Sequence, residues 1–345
     1  PEVGYAIACL GAFVAIFAAT MALVNNDMKR IIAYSTLSQL GYMFVAAGLG
    51  AYWVALFHLA THAFFKSVLF LGAGNVMHAM HDELDIRKMG GLHKEMKATS
   101  YIMIIASLAL AGIFPLAGFF SKDKILEAAF NADATILWAI LWITAGLTAF
   151  YSFRLVMKIF FGEANYNKNL HPHEAKSFVI AAMIPLAVLA VIAGWFEHSF
   201  IEFVTQILPT WEASNLNHST AWILILITSG VAIFGILFAV YKYKNGGFSK
   251  SWEDTFVYKL LSNQYYIPKF YEVCISKPYY AISVWVWKVI EIKLIDASID
   301  GLAHFINKLG VKARPIQSGN LSSSLRLMSL GLILGLVFAL VLSVL

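Results

Sequence analysis

Long apolar segments alternate with short polar connections along the chain. Eight of these segments contain the roughly 20 apolar residues that a helix needs to cross a bilayer. We name them helices A to H and place them at about 1–24, 31–50, 52–80, 99–130, 135–161, 177–196, 220–241 and 325–345. The strand-like alternation and regular turn signals of a membrane barrel are not seen. The pattern predicts an all-α polytopic membrane protein with about eight transmembrane helices.

Helix D is too long for one straight crossing, and it contains Pro115 and Gly118. A proline inside a helix removes a backbone hydrogen bond and kinks or breaks the helix. Ser121 followed by Asp123 resembles a helix restart, with a capping hydroxyl and an acid in the first turn. We therefore predict a broken helix near Pro115.

The segment at about 279–312 differs from the crossing helices, because charged residues recur among its apolar ones. Trp287 and Ile295, for example, alternate with Lys288, Glu291 and Asp296. This pattern is typical of an amphipathic helix that lies along a membrane surface. We divide the chain accordingly into 1–161, 162–241, a linker with this lateral helix at 242–324, and a last crossing helix at 325–345.

Composition and charge support the same class of protein. Of the 345 residues, 60% are hydrophobic and 13% are charged, which excludes a soluble domain. The net charge of +5 does not indicate nucleic acid, because the basic residues lie on one side of the membrane. All of the 25 Lys and Arg residues except Lys66, Lys122 and Lys124 lie in or next to connections A–B, C–D, E–F and G–H. By the positive-inside rule this side, with the lateral helix, is cytoplasmic.

The chain carries no pattern for a cofactor. Cys9 and Cys274 are far apart, which argues against a disulfide framework or a structural zinc site. Flavin, iron–sulfur and nucleotide motifs are absent from the sequence, so we expect no cofactor and no redox catalysis in this chain. The sequence begins with Pro1 rather than Met and has no signal peptide, so we expect a preceding N-terminal part.

Three titratable residues of helix C share one helical face. His58, His62 and Lys66 are spaced i, i+4, i+8, with about 6 Å of rise between neighbours. A lysine in mid-membrane costs roughly 3 kcal/mol on insertion scales and normally faces a bundle interior or a watery cavity. Lys66 is therefore either a structural charge paired with an acid of another helix or part of a proton path. The histidine pair has zinc-site spacing, but Leu59 stands where the usual glutamate would be.

Lys122 and Asp123 have two interpretations. Residues 99–120 already suffice for a crossing, so this pair could be an ordinary cap at the outer interface. Alternatively, Pro115 breaks helix D at mid-depth, and Lys122 then faces an interior cavity, as in transporters with discontinuous helices.

Three stretches of this sequence resemble the antiporter-like subunits of respiratory complex I, which is NADH:quinone oxidoreductase. They are NDMKRIIAYSTLSQLGYM (26–43), FHLATHAFFK (57–66) and GFFSKDKIL (118–126). Within those subunits the resemblance is to the subunit L family, which includes mitochondrial subunit 5. It extends over essentially the whole chain, with the lateral helix and the last crossing helix in their expected order.

The resemblance implies a role for each candidate residue. Helices A to E (1–161) look like the second of two inverted half-channel repeats, with helix D as its broken helix. His58, His62 and Lys66 match the central proton relay of the family. Lys122 matches the broken-helix lysine near the outward exit, and Asp123 matches the adjacent acid.

The family also implies partners and a location. The lateral helix would lie along neighbouring antiporter-like subunits of the membrane arm, and the chain would reside in the bacterial inner membrane without nucleic acid partners. Family members carry further helices before helix A, including a glutamate–lysine pair that this chain lacks. We therefore expect the C-terminal part of such a subunit, which does not pump by itself.

The predicted function is that of a proton-translocating membrane subunit of NADH:quinone oxidoreductase, coupled to redox chemistry in other subunits. One alternative is the large subunit of a multisubunit Na⁺/H⁺ antiporter, which shares these motifs. A second alternative is a structural clamp without its own channel.

Overall fold

A computed structural model describes residues 2–167, 169–209, 211, 217–316 and 319–344. Over these ranges the chain is mainly helical, with no strand and one isolated backbone bridge. The α-helices are α1 Glu2–Val24, α2 Met28–Gly48, α3 Tyr52–Ala79, α4 Lys97–Ala111, α5 Ala117–Asn131, α6 Thr135–Val156, α7 Ser177–Ile192, α8 Glu197–Val204, α9 His218–Lys244, α10 Phe256–Ser262, α11 Ile267–Tyr271, α12 Lys277–Val286, α13 Ala297–Ala313 and α14 Leu321–Val344. The contacts divide the chain into two units, residues 1–265 and 266–345.

The predicted crossing helices are confirmed, with one of them in two pieces. Seven helical segments among the described residues are long and apolar enough to cross a membrane. They are Glu2–Val24, Met28–Gly48, Tyr52–Ala79, Thr135–Phe161, Ser177–Val204, Ser219–Lys244 and Leu321–Ser343. The predicted helix D corresponds to α4 and α5, each of which is too short to cross alone. The protein is therefore an all-α multi-pass membrane protein with a broken helix.

The break lies where Pro115 and the glycines place it. Helix α4 ends at Ala111, and its C-cap Gly112 has a φ of 80° in the left-handed region that favours glycine. Helix α5 begins at Ala117, earlier than the restart that the sequence indicates at Ser121, because helical hydrogen bonds can form once Pro115 has been passed. A Cβ atom on Gly118 would lie 1.8 Å from the Ala109 carbonyl oxygen, so only glycine allows the two half-helices to approach this closely.

Helices α1 and α2 pack against each other through small residues. A Cβ atom on Gly11 would lie 2.7 Å from the Gly41 carbonyl oxygen, and one on Gly41 would lie 2.5 Å from the Gly11 carbonyl oxygen. The Ser38 hydroxyl donates to the Ala15 carbonyl oxygen across the same contact at 2.8 Å. Small residues at such contacts let helix backbones approach closely in a membrane, where hydrophobic burial provides little drive for helices to associate.

Three connections meet at one end of the first unit, which is the end where the basic loops lie. The Met28 N–H donates to the Leu84 carbonyl oxygen, and the Ile86 N–H donates to the Asn26 carbonyl oxygen, both at 2.9 Å. The Arg154 guanidinium at the end of α6 donates to Asn26 Oδ1 at 2.7 Å. These bonds hold the ends of α2, α3 and α6 together and fix the orientation of the helices that carry the candidate site.

The second unit contains a long exposed helix. Helices α11, α12 and α13 run on through π-helical turns at Glu272–Ser276 and Trp287–Asp296, so the chain is helical from 267 to 313. This helix includes the predicted lateral segment at about 279–312. None of its described residues is buried within the chain, and its large apolar side chains, such as Trp285 and Leu302, are exposed.

Candidate functional site

The titratable row of α3 faces the interior of the first unit. His58 is 1% exposed, and His62 and Lys66 are each 5% exposed. Their i, i+4 spacing places them on one side of the helix, and this side packs against α2 and α5. The sequence pattern therefore identified the buried face of α3 correctly.

Lys66 contacts backbone oxygen rather than an acid. Its Nζ donates to the Ile32 carbonyl oxygen at 3.1 Å. No carboxylate of the described residues forms an ion pair with it within 4.0 Å, so the structure does not show the acid that a structural pairing requires. A cavity of about 10 Å³, roughly the space for one water, lies beside Lys66 and is lined by Ser35 and Tyr151. The Tyr151 hydroxyl donates to Ser35 Oγ at 2.8 Å.

His58 joins three helices through both of its ring nitrogens. Nδ1 lies 2.9 Å from Ser121 Oγ on α5, and Nε2 lies 3.1 Å from Gln39 Oε1 on α2. Because an amide oxygen only accepts, Nε2 carries a proton in this arrangement and Nδ1 accepts from Ser121 when the ring is neutral. Ser121 also lies 2.7 Å from Thr61 Oγ1, so its hydroxyl connects the half-helix α5 to α3.

His62 lies between His58 and Lys66 with one nitrogen unpaired. Its ring centroid is 6.1 Å from that of His58, and its ring packs edge-on against Phe65 at 5.3 Å. Nε2 is buried and has no hydrogen-bond partner among the described residues. The described residues contain no group of three or more His, Cys, Asp or Glu side chains placed to hold a metal ion.

Lys122 follows Ser121 on α5 and is also buried. It is 1% exposed, and its Nζ lies 5.2 Å from the centroid of the Tyr42 ring, where the π face attracts a cation. The Tyr42 hydroxyl donates to the Leu141 carbonyl oxygen, which fixes the ring in place. Nζ has no hydrogen-bond partner among the described residues. This burial corresponds to the interior interpretation of Lys122 and not to a cap at the outer interface.

Asp123 points elsewhere, because consecutive helical residues are rotated by about 100°. It lines a separate cavity of about 220 Å³ together with Lys124, Glu127 and Glu197. Lys124 and Glu127 form an ion pair there at 2.8 Å. The structure thus brings His58, His62, Lys66 and Lys122 together, which we call the lysine–histidine seam, and places Asp123 beside a second, acidic cavity.

Other polar residues around the seam were not predicted from the sequence as site residues. Gln39 and Ser121 hold His58, while Ser35 and Tyr151 border the cavity at Lys66. Gln39 and Ser35 are one helical turn apart on α2, and this i, i+4 spacing of polar residues in an apolar span was a usable signal. Tyr151 gave no such signal, since a single tyrosine in an apolar helix is common.

Taken together, the fold and the site define a class of protein. It is a multi-pass membrane protein in which a broken helix and an unbroken one enclose buried lysines and histidines. Intramembrane groups of this kind mark ion pathways and proton relays in pumps and transporters.

Comparison with known proteins finds homologues of this chain. Residues 1–148 match the family model described as NADH:quinone oxidoreductase/Mrp antiporter, TM. NADH-quinone oxidoreductase subunit L of Campylobacter jejuni is 54% identical over 312 residues, which cover 90% of this chain and 51% of that protein. NADH-ubiquinone oxidoreductase chain 5 of Cryptococcus neoformans is 35% identical over 366 residues, covering 98% of this chain and 54% of that protein. The chain is a homologue of these antiporter-like complex I subunits, and it spans about half of their length.

A solved structure shares the fold. The Mrp complex from Dietzia sp. contains a chain that superposes with a TM-score of 0.53 over 66% of this chain and 49% of that one. Its sequence identity is 19%, so this likeness concerns the fold alone.

Proposed function

We propose that the chain forms part of the proton-translocating membrane subunit of an NADH:quinone oxidoreductase. The observation that carries this proposal is the lysine–histidine seam, in which four titratable side chains lie buried among the membrane-spanning helices. Burying a lysine there is costly, so two of them beside two histidines indicate use in conduction rather than in packing. The names of the homologous subunits support the same function.

The geometry supports a defined order of proton transfer. Lys66, His62 and His58 follow one another by single helical turns on α3, close enough for one water to bridge each step. His58 can take up the relayed proton at Nδ1, its one acceptor nitrogen, and then pass it to Ser121 Oγ at 2.9 Å, because a hydroxyl both donates and accepts. Lys122 is the next residue on α5. The Gln39 amide cannot pass the proton on and instead fixes the orientation of the His58 ring.

The acidic cavity beyond the seam provides an outlet in this proposal. Asp123 follows Lys122 directly in sequence, and its Oδ2 is buried without a hydrogen-bond partner among the described residues. Glu127 and Glu197 border the same cavity, and their carboxylates attract a proton released from Lys122. Asp123 of its lining is the sequence neighbour of Lys122, which supports a short transfer from the seam to this cavity.

The remaining parts of the chain receive supporting roles. Residues 1–161 would form one half-channel, 162–241 two further helices, and 242–324 the linker with the lateral helix. The exposed apolar side chains of that helix, including Trp285 and Leu302, support contact with neighbouring antiporter-like subunits of the membrane arm. The basic loops and the lateral helix would lie on the cytoplasmic side, and the redox chemistry would occur in other subunits.

Substitution of the two lysines in the assembled enzyme tests this proposal. Lys66→Ala and Lys122→Ala are each expected to lower the number of protons moved per NADH oxidised, measured in sealed vesicles. Lys94→Ala is the control, because Lys94 is an exposed lysine in the loop before α4. Unchanged pumping in both variants would contradict a conducting role and leave the structural clamp.

A Na⁺/H⁺ antiporter remains the second candidate, because the matching family model includes the Mrp antiporters. The decisive measurement is Na⁺-dependent proton movement in vesicles without NADH. Transport under those conditions, lost in Lys122→Ala, would favour the antiporter over the complex I subunit.

A further inference from the structure

A groove unrelated to the lysine–histidine seam runs along the outside of the first unit. It has a volume of about 510 Å³ and lies between α6 and α9, with walls from the end of α1 and from the segment after α9. Its lining extends from Trp142 of α6 to Lys158, which lies in the helical turn directly after α6. This distance corresponds to about 24 Å of helix. This length exceeds the roughly 15 Å depth of one leaflet of the hydrocarbon core.

The floor of the groove is apolar and closely packed. Gly146 of α6 and Gly235 of α9 bring the two helices into contact, since a Cβ atom on Gly235 would lie 2.7 Å from the Gly146 carbonyl oxygen. Ile143, Phe234 and Phe238 line the groove above this contact and stay partly exposed. An apolar channel of this form fits a hydrocarbon chain better than it fits water or a polar solute.

One end of the groove is basic. Arg87, Arg154 and Lys158 line it together with one acid, Glu253. Arg87 is paired with Asp85 at 2.7 Å, whereas no acid of the described residues lies within ion-pair distance of Arg154 or Lys158. The cationic side chains therefore outnumber the carboxylates at this end.

Aromatic contacts position these basic groups. Arg154 Nε donates to the Tyr243 hydroxyl at 3.2 Å, and Lys158 Nζ lies 5.7 Å from the centroid of the same ring. Arg154 also donates hydrogen bonds to the turn between α1 and α2. A guanidinium has five N–H groups, so some of them stay free to bind a ligand. The chain turns at Gly246 and Gly247, both with φ near 90°, so that Phe248 and Trp252 close the groove from the side.

The geometry points to a binding site for one anionic phospholipid. Its phosphate would lie against Arg154 and Lys158, and an acyl chain would follow the floor between α6 and α9. Basic pockets between crossing helices, at the level of the headgroups, bind anionic lipids by the same combination of charge and apolar contact. A free phosphate would leave the apolar floor uncovered, so the groove favours a lipid over a soluble anion.

The first test compares two lipids with identical acyl chains on the purified chain. Native mass spectrometry in detergent is expected to show about tenfold greater retention of phosphatidylglycerol than of phosphatidylcholine. Lys158→Gln removes one of the two proposed phosphate contacts and leaves the Arg154 bonds to the turn between α1 and α2 in place, and it is expected to remove most of this preference. Lys244→Gln is the matched control, because Lys244 is an exposed basic residue at the end of α9 outside the groove.

Three outcomes would overturn the assignment. Equal retention of the two lipids would show unselective lipid binding, and an equal loss in Lys244→Gln would show attraction to the basic surface in general. Displacement of the lipid by inorganic phosphate would indicate a site for a free anion. The groove-filling variant Ile143→Trp keeps every charge and is expected to lower retention of both lipids, which separates the acyl-chain contact from the charge contact.

The second test identifies the occupant in native membranes. A photoreactive p-benzoylphenylalanine in place of Phe234, an exposed ring that lines the groove, is expected to form an adduct with a phospholipid. An adduct with a peptide instead would assign the groove to a protein segment and contradict the lipid site. The same probe at Phe13, an exposed residue of α1 outside the groove, reports background labelling by bulk lipid.

Discussion

Single residues in this protein acquire their chemistry from neighbours that are distant in sequence. His58 contacts Gln39 and Ser121, which lie 19 and 63 positions away. Lys122 lies against the ring of Tyr42 rather than against the adjacent Asp123. Each of these contacts is fixed by helix packing, so each is sensitive to substitutions that leave the fold intact.

We predict that Ser121→Ala slows proton transfer without unfolding the protein. The change removes the hydroxyl that connects His58 to the half-helix of Lys122 and leaves Nδ1 of His58 buried without that partner. An unsatisfied buried group costs about 1–3 kcal/mol, so we expect roughly a tenfold lower rate of proton transfer in vesicles. Ser329→Ala in α14 is the control, because that hydroxyl only donates to its own helix. Equal rates in the two variants would exclude Ser121 from the pathway.

Two carboxylates in the loop after α3 give a prediction about pH. Hydrogen bonds from the Lys88 side chain and from the loop backbone hold the pKa of Glu83 below its usual value. Burial alone would raise the pKa of Asp85, but hydrogen bonds from Arg87 outweigh this effect and leave it lowered. Both ionised groups therefore stabilise the folded loop above about pH 4, and this stabilisation is lost as the pH falls through the lower folded pKa values.

Hydrogen exchange measures this loss locally. The Ile86 amide donates to the Asn26 carbonyl oxygen, so its protection reports whether the loop is folded. After correction for the intrinsic rate, we expect protection at pH 6 and a decrease of roughly tenfold or more below about pH 4. Asp85→Asn is expected to weaken protection already at pH 6, whereas Glu95→Gln, at an exposed acid nearby, should not. Constant protection down to pH 3 would be inconsistent with this assignment.

At the scale of elements, the broken helix decides where the second lysine lies. Helix α4 ends at Ala111, and α5 begins at Ala117. The close approach at Gly118 packs the start of α5 against the end of α4 and so sets the position of Ser121 and Lys122. The geometry of the seam depends on this contact.

We predict that Gly118→Ala destabilises the protein by about 1–3 kcal/mol, the usual range for overpacking. The added methyl group would overlap the Ala109 carbonyl oxygen, which belongs to a rigid helix and cannot move freely. A lower Tm in detergent is the expected observation. Gly74→Ala in α3 is the matched control, because no atom lies within 4 Å of its new Cβ and alanine favours a helix by about 0.5–1 kcal/mol. The same Tm for both variants would mean that the two half-helices tolerate separation.

Much of this element structure could be predicted from hydrophobic periodicity, for reasons that single positions illustrate. The row His58, His62, Lys66 lies on one helix, so its shared face follows from the helical repeat alone. The restart at Ala117 could not be predicted, because a capping pattern at Ser121 looks the same whether or not a helix has already begun. The contacts of Tyr151 and Tyr42 depend on packing between helices, which periodicity does not report.

At the scale of the whole molecule, the Lys and Arg residues are distributed unevenly between the two sets of helix connections. The basic connections lie at the ends of α1, α3, α6 and α9, whereas the opposite connections carry no Lys or Arg. Lys124, which pairs with Glu127, is one exception to this distribution, and the others are Lys66 and Lys122, which are both buried. The positive-inside rule therefore predicts the orientation once these two residues are recognised as interior.

Cysteine labelling tests this orientation. In a background with Cys9→Ser and Cys274→Ser, we expect Glu95→Cys to react with an impermeant maleimide only from the cytoplasmic side. Ala132→Cys, in the connection after α5, is expected to react only from the opposite side. Both positions are exposed in the structure, so failure to label would not be due to burial. Labelling of both cysteines from one side would contradict the assigned number of crossings.

The contact between α1 and α2 has a consequence for electrical insulation. At Gly11 and Gly41 the two backbones approach so closely that even a methyl group would not fit between them. A file of water, which needs more space than a methyl group, is excluded from this interface. Water therefore cannot carry a proton through the interface between α1 and α2 at this level, and any proton path in this part of the chain must run elsewhere.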